Sequence, residues 1–295
     1  MKEKGLLKEF ARYVVSNICG MIGLSCYILA DTFFISRGLG AGGLAALNLA
    51  IPVYSFVHGS GLMLGMGGAT RYSICAGRGD SKNGDSIFSN AVYAMAAFAA
   101  VCVAAGIFFS GKLALALGAD REIFAMTKTY LQVILLFAPA FMANDILLCF
   151  VRNDGNPRLS MAAMLAGSFS NIALDYVFIF PLRMGILGAV LATGFAPVIS
   201  LGVLSRHWTL KKNRFHFVKA KPELRQAADS ISLGVPALIA EAASGIVIIV
   251  FNAVILRLEG NTGVAAYGVV ANLSLVVTAV YTGISQGAQP ILSRL

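Results

Sequence analysis

The chain has 295 residues, 58% of them apolar and 13% charged, with 23 Lys and Arg against 14 Asp and Glu. Soluble domains carry roughly 25% charged residues; with a mean hydropathy of +0.78, the composition excludes a soluble globular protein and a disordered one alike. A formal net charge of +9 would suggest nucleic acid in a soluble chain, but here membrane topology has to account for it first.

Eight runs are long and apolar enough to be predicted as transmembrane helices. They fall at about 11–36, 44–70, 87–110, 123–151, 159–180, 185–206, 228–257 and 263–293. The first follows a basic start (Lys2, Lys4, Lys8, Arg12). It is longer than the ~7–15 residues of a signal-peptide core, and no small-residue cleavage site follows it, so it reads as a membrane helix. Connections are short except for the polar stretch from Arg206 to Arg225, which reads as a linker. With the N-terminus in the cytoplasm, 17 of the 23 basic residues fall on the cytoplasmic side, including Arg152 and Arg158 after the fourth span. That split follows the positive-inside rule, and the linker is placed to meet anionic lipid headgroups as well. Pro52, Pro139, Pro197 and Pro236 lie inside spans, where each removes a backbone hydrogen bond and is expected to kink its helix. The five cysteines form no C-x-x-C and no metal-ligand cluster, and read as small packing residues.

Sliding the chain by 220 residues brings Arg37 onto Arg257, Gly40 onto Gly260, Gly43 onto Gly263, Ala45 and Ala46 onto Ala265 and Ala266, and Gly67 onto Gly287. The offset equals six spans. Spans seven and eight would then repeat spans one and two in the same membrane orientation, the parallel-repeat arrangement of some secondary transporters.

Acids in mid-bilayer are costly, about +2.5 to +3.5 kcal/mol on insertion scales. Most of the 14 acids lie in loops or near span ends; four do not: Asp31, Asp145, Asp175 and Glu241. Without a fixed basic partner, an intramembrane acid tends to hold a proton or a cation. Asn171 precedes Asp175 by four residues and shares its helix face. Thr193 lies beyond the hairpin through Pro181 and Gly185, at similar depth. Carboxylate, amide and hydroxyl oxygens suit Na⁺ or a proton rather than a transition metal. Hydrogen bonding between helices is the other reading of Asn171 and Thr193, and spacing alone leaves both open. Asp145, close to the inner face, reads as a snorkelling or capping residue. Glu241, close after Pro236, reads either as a functional carboxylate or as a protonated one bonded between helices. His58 reads as a packed or hydrogen-bonded ring. The chain carries no nucleophile elbow, phosphate-binding loop or zinc-protease motif, so no enzyme chemistry is expected.

The segments ADTFFISRGLGAGGLAALNLAIPV (30–53), AGRGD (76–80), FVRNDGNPRLSM (150–161), SNIALDYVFIF (170–180) and GILGAVLATGFA (185–196) together resemble the multidrug and toxic compound extrusion (MATE) family. The resemblance covers essentially the whole chain. It implies an all-α polytopic bundle belonging to a twelve-helix architecture of two parallel six-helix repeats. Residues 1–206 would be the first lobe, 207–226 a cytoplasmic basic linker, and 227–295 the first two helices of a second, incomplete lobe. It further implies an antiporter that exports amphipathic, often cationic small molecules by alternating access. Na⁺ or H⁺ would be the coupling ion, with no other cofactor, no nucleic-acid partner, a monomeric state and a bacterial inner-membrane location. Carried over by position, the cation site would be Asp31, Asn171, Asp175 and Thr193, with Glu241 as a second-lobe carboxylate. A lipid-linked saccharide flippase of related architecture, expected to have a strongly cationic cavity, and a non-transporting truncated remnant are the alternatives.

Overall fold

The computed structural model describes residues 2–219 and 223–294; within these, the side chains at 2–5, 248–249, 252–253, 256–257, 259–269 and 271–272 lie outside the description. Lys2, Lys4, Lys221 and Arg257, and the repeat match at Gly260, Gly263, Ala265 and Ala266, therefore lie outside the described residues. Among the described residues the chain is all helix and loop, in the order α1 (Lys2–Gly77), α2 (Ser81–Ala116), α3 (Phe124–Leu136), α4 (Ala138–Asn153), α5 (Pro157–Ile179), α6 (Gly185–Leu204), α7 (Arg206–Thr209) and α8 (Leu224–Leu292).

Among the described residues, five helical stretches are long and apolar enough to cross a bilayer, or six when α3 and α4 count as one broken span. The first two expected spans lie in α1, whose 76 residues leave helical geometry only at Gly40 (φ 68, ψ −160). That conformation is open to glycine and strained for other residues, so the chain folds back there. The arms run side by side: the hydroxyls of Tyr27 and Tyr54 meet at 2.9 Å. Near Pro139 the chain bends by 48° between α3 and α4, as expected. Pro52 differs, since α1 passes through it without leaving helical geometry.

Asp80 caps α2 by accepting from the Asn83 N–H at 3.1 Å. Asn156 caps α5 by accepting from Leu159 at 3.3 Å, and Pro157 follows at the first helical position. Both match standard helix-start chemistry.

The 69 residues of α8 are far too long for one crossing of a ~30 Å core at 1.5 Å per residue. Its first part meets the second arm of α1, and its last part meets the first arm. A Cβ on Gly67 would strike the Ser230 backbone and approach Gly234, and a Cβ on Gly287 would approach Tyr13 and Val14. These are one contact seen twice. Adding 220 to Gly67 gives Gly287, and subtracting 220 from Gly234 gives Val14. The hairpins of α1 and α8 therefore pack as two copies around a local two-fold axis, each glycine admitting the other copy's backbone.

The linker is bound rather than loose. Its backbone N–H groups donate to side chains on α2: His216 to Asp85 (2.7 Å), Val218 to Ser89 (2.9 Å) and Glu223 to Asn90 (2.8 Å). Phe215 is fully buried, packed against Phe88, Phe150, Tyr72 and Trp208.

Candidate functional site

The first arm of α1 supplies Tyr27 and Asp31, one turn apart. α3 supplies Tyr130, α5 supplies Asn171 and Asp175, and α6 supplies Thr193. All six are buried. Asp31 and Asp175 lie within hydrogen-bonding reach of each other. In the orientation that satisfies both of its ends, the Asn171 amide nitrogen donates to Asp175 Oδ2 at 3.0 Å and its oxygen accepts from the Thr193 backbone N–H at 3.2 Å. Thr193 Oγ1 donates to the Ala189 carbonyl at 3.2 Å, and Tyr130 lies near Thr193. The four residues singled out by sequence therefore converge. The i, i+4 spacing on α5 places Asn171 and Asp175 together, and the short hairpin to α6 brings Thr193 to their depth.

One oxygen of Asp31 and one of Asp175, both named Oδ1, are buried without a hydrogen-bond partner. Among the described residues no Lys, Arg or His forms an ion pair with either carboxylate. Two buried carboxylates in contact cannot both stay bare, so the donor set fits a proton or a small hard cation. Among the described residues no three His, Cys, Asp or Glu side chains converge as metal ligands.

Thr193 and Tyr27 also line a central cavity of about 80 Å³. Its wall continues through Tyr54, His58, Asp145 and Glu241. Here the structure corrects one expectation. Asp145 neither snorkels nor caps a helix: it is buried, and its Oδ2 lies 2.9 Å from His58 Nδ1. The contact has ion-pair distance without hydrogen-bond alignment, since Oδ2 accepts no aligned bond. His58 stacks on Tyr54, with ring centroids 5.8 Å apart. Asp145 is drawn inward because Gly61 leaves it room; a Cβ there would sit 2.6 Å from Asp145 Oδ2. Glu241 is half-buried on the cavity wall and packs over Gly59.

Arg152 is the second correction. Counted by sequence among the cytoplasmic charges at a loop, it is only 2% exposed and lines the cavity. Its Nη1 donates to Asn17 Oδ1 at 2.6 Å and to Gln286 Oε1 at 3.3 Å. Around it a polar layer joins α1, α4 and α8: Asn153 donates to Gln289 (3.0 Å), Gln289 to Thr70 (2.8 Å) and Ser73 to Asn153 (2.6 Å). Tyr27, Tyr54 and Tyr130 were missed by sequence because an aromatic inside an apolar run has no distinguishing pattern. For Arg152 the signal was its distance of only one residue from the end of the fourth apolar run.

A bundle of membrane helices that packs two hairpins around a local two-fold and encloses paired buried carboxylates beside a central cavity has the form of a polytopic membrane protein built from parallel repeats. The MatE family model matches residues 18–177, more than half the chain, and the chain belongs to that family. It is 26% identical over 290 residues to the multidrug export protein MepA of Staphylococcus aureus (strain MRSA252), covering 98% of this chain and 64% of that protein. It is 25% identical to MepA of Staphylococcus haemolyticus, covering 99% and 65%. Among solved structures it superposes on the MATE multidrug transporter DinF-BH with TM-score 0.86 at 26% identity, over 97% of this chain and 65% of that one. On a MATE protein in an outward-facing conformation the TM-score is 0.89 at 22% identity, over 96% and 63%. The chain thus spans slightly less than two-thirds of the length of the relatives it matches.

Proposed function

We propose that the chain acts in cation-coupled export of amphipathic small molecules, with Asp31 and Asp175 as the coupling pair. The observation that carries this reading is the contact of two buried carboxylates, each with an unpartnered oxygen, beside a cavity that shares Thr193 with them. A proton or Na⁺ between the carboxylates holds α1 against α5. Without it their repulsion favours an arrangement in which the helices part. Coupling requires only that the ion bind one arrangement more tightly than the other. Asn171 and Thr193 position Asp175 and supply further oxygens. Asp145 and Glu241 give the cavity its attraction for the cationic end of a substrate, among apolar walls suited to the rest of it. On this reading residues 1–206 form a first lobe, 207–226 a cytoplasmic linker and 227–295 the opening hairpin of a second lobe. The membrane is a bacterial inner membrane with the N-terminus inside, and the working unit is a monomer. The similarity to multidrug export proteins supports the substrate class.

The test is uptake of a lipophilic cationic dye into inside-out vesicles bearing the 295-residue chain, under an imposed Na⁺ or proton gradient. Gradient-driven uptake that is lost in Asp175→Asn, by at least about tenfold, is the expected result. Uptake unchanged in Asp175→Asn overturns the coupling role, and no uptake by the wild-type chain overturns transport by this chain.

A further inference from the structure

We infer that the chain binds an anion bearing two phosphate groups in a second cavity, walled by the start of α1, the turn between α4 and α5, and the linker. This cavity measures about 600 Å³ and shares no lining residue with the central one. Five cationic side chains line it, Arg12, Lys211, Lys212, Arg214 and Arg294, against the carboxylates of Glu9 and Asp154. Asp154 is already engaged. Its Oδ1 accepts from the Tyr72 hydroxyl; its Oδ2 accepts from the Arg214 backbone N–H at 2.8 Å and lies 2.8 Å from His207 Nε2. Glu9 forms an ion pair only with Arg294, at 3.9 Å. Among the described residues, the charged ends of Arg12, Lys211, Lys212 and Arg214 therefore have no ion-pair partner. All four residues are exposed, so their charged ends are open to a ligand.

Like charges on a surface repel and ordinarily spread apart, whereas here the backbone holds them around one space. The Arg12 guanidinium lies over the ring of the buried Tyr13, 5.5 Å from its centroid. The linker turn is closed by backbone bonds, Lys211 N–H to the Trp208 carbonyl at 2.8 Å and Lys212 N–H to the His207 carbonyl at 3.1 Å. Lys211 sits at φ 52, a left-handed conformation that glycine or asparagine adopts more readily than lysine. Turn-making alone would favour glycine there; a long cationic side chain at a strained position on a cavity wall points to a ligand. Two phosphate groups suit the four unpaired cations, because guanidinium forks grip phosphate oxygens in pairs and ammonium groups add point charges. The cavity also falls in the ~300–1,000 Å³ range of small-molecule sites, too large for a lone ion to fill. The same chemistry is offered by a lipid headgroup with two phosphates at the membrane surface and by a soluble diphosphate.

The test measures the thermal unfolding midpoint of the 295-residue chain in a neutral detergent while cardiolipin or, separately, sodium pyrophosphate is titrated in. A ligand that binds the folded chain raises the midpoint saturably, and such a rise is expected with at least one of the two. A rise with cardiolipin alone assigns the site to lipid, and a rise with pyrophosphate assigns it to soluble phosphates. The triple variant Lys211→Gly, Lys212→Gln, Arg214→Gln is expected to weaken binding about tenfold, from three lost charge contacts. It keeps the Arg214 backbone N–H that Asp154 accepts. The control Arg78→Gln, Lys82→Gln, Arg158→Gln removes as much charge from exposed positions outside the cavity and should bind as the wild type does. Lys211→Gly alone relieves the turn, so it is expected to fold even where the triple variant does not, and to weaken binding about threefold. No saturable rise with either ligand overturns the site. So does an equal loss in the control, or full binding by the triple variant or, where that fails to fold, by Lys211→Gly. None of these outcomes touches the coupling role of Asp31 and Asp175.

Discussion

At the scale of single residues, the membrane interior makes every charged group consequential, because water is absent to solvate it. Asp145 is the clearest case. It is buried on the cavity wall, and His58 is the one basic side chain within ion-pairing distance of it among the described residues. Removing one partner of a buried pair leaves the other uncompensated, which costs about 3–5 kcal/mol in general. His58→Ala is therefore expected to lower thermal stability strongly, read as the loss of monodisperse protein after heating in detergent. The double variant His58→Ala, Asp145→Asn should recover most of the loss, because the uncompensated charge is then gone. A single variant as stable as the wild type would show that the 2.9 Å contact contributes nothing. The same logic explains what the sequence revealed at this scale. Asp31, Asp175 and Asn171 stood out because polar groups are rare in apolar runs, and the spacing of Asn171 and Asp175 fixed their common face. Tyr27 and Tyr130 carried no such contrast. Arg152 was hidden by its position at a span end, where a basic residue ordinarily answers to topology.

At the scale of elements, the linker shows how a polar segment becomes part of the structure. Residues 213–219 belong to no helix or strand, so their N–H groups have no ladder partner. The side chains of Asp85, Ser89 and Asn90, spaced along one face of α2, accept donors from the linker instead. Asp154 accepts from the Arg214 N–H at 2.8 Å, and from Tyr72 and His207 as well. Phe215 fastens the strap by filling the space between α2, α4 and His207. Phe215→Ala would leave a cavity there, and such truncations cost about 3–5 kcal/mol. Its expected signature is rapid protease cleavage between residues 210 and 223 under conditions where the wild-type chain resists, with Phe215→Leu close to wild type. Equal resistance in the alanine variant would show that the hydrogen bonds alone hold the strap. From sequence this segment read as a basic linker, since its charges are visible and its partners are not. Asp85, Ser89 and Asn90 look like the ordinary polar start of a span, and only the folded backbone shows that they meet the linker.

At the scale of the whole molecule, the packing of α1 against α8 decides how the two hairpins are held. The 220-residue shift already aligned Gly67 with Gly287, so the repeat was legible. Which surfaces meet was not, because a match between two copies does not say that the copies touch. In the structure each glycine lies against the other hairpin's backbone, at Ser230 and Gly234 in one case and at Tyr13 and Val14 in the other. A backbone neighbour cannot rotate away as a side chain can, so any Cβ has to push two helices apart. Overpacking of this kind costs typically about 1–3 kcal/mol per site. Because the two contacts are related by the local two-fold, Gly67→Val and Gly287→Val are expected to destabilise by similar amounts, and the double variant by about the sum. Gly202 provides the control: it is exposed on α6 with nothing near enough to meet a Cβ, so Gly202→Ala should be neutral or slightly stabilising through helix propensity. Thermal unfolding of the four variants in one detergent separates the cases. If Gly67→Val is harmful and Gly287→Val is neutral, the two hairpins do not share the packing that the shift by 220 residues describes. If both match the Gly202 control, the close approach of α1 and α8 is not what holds them together.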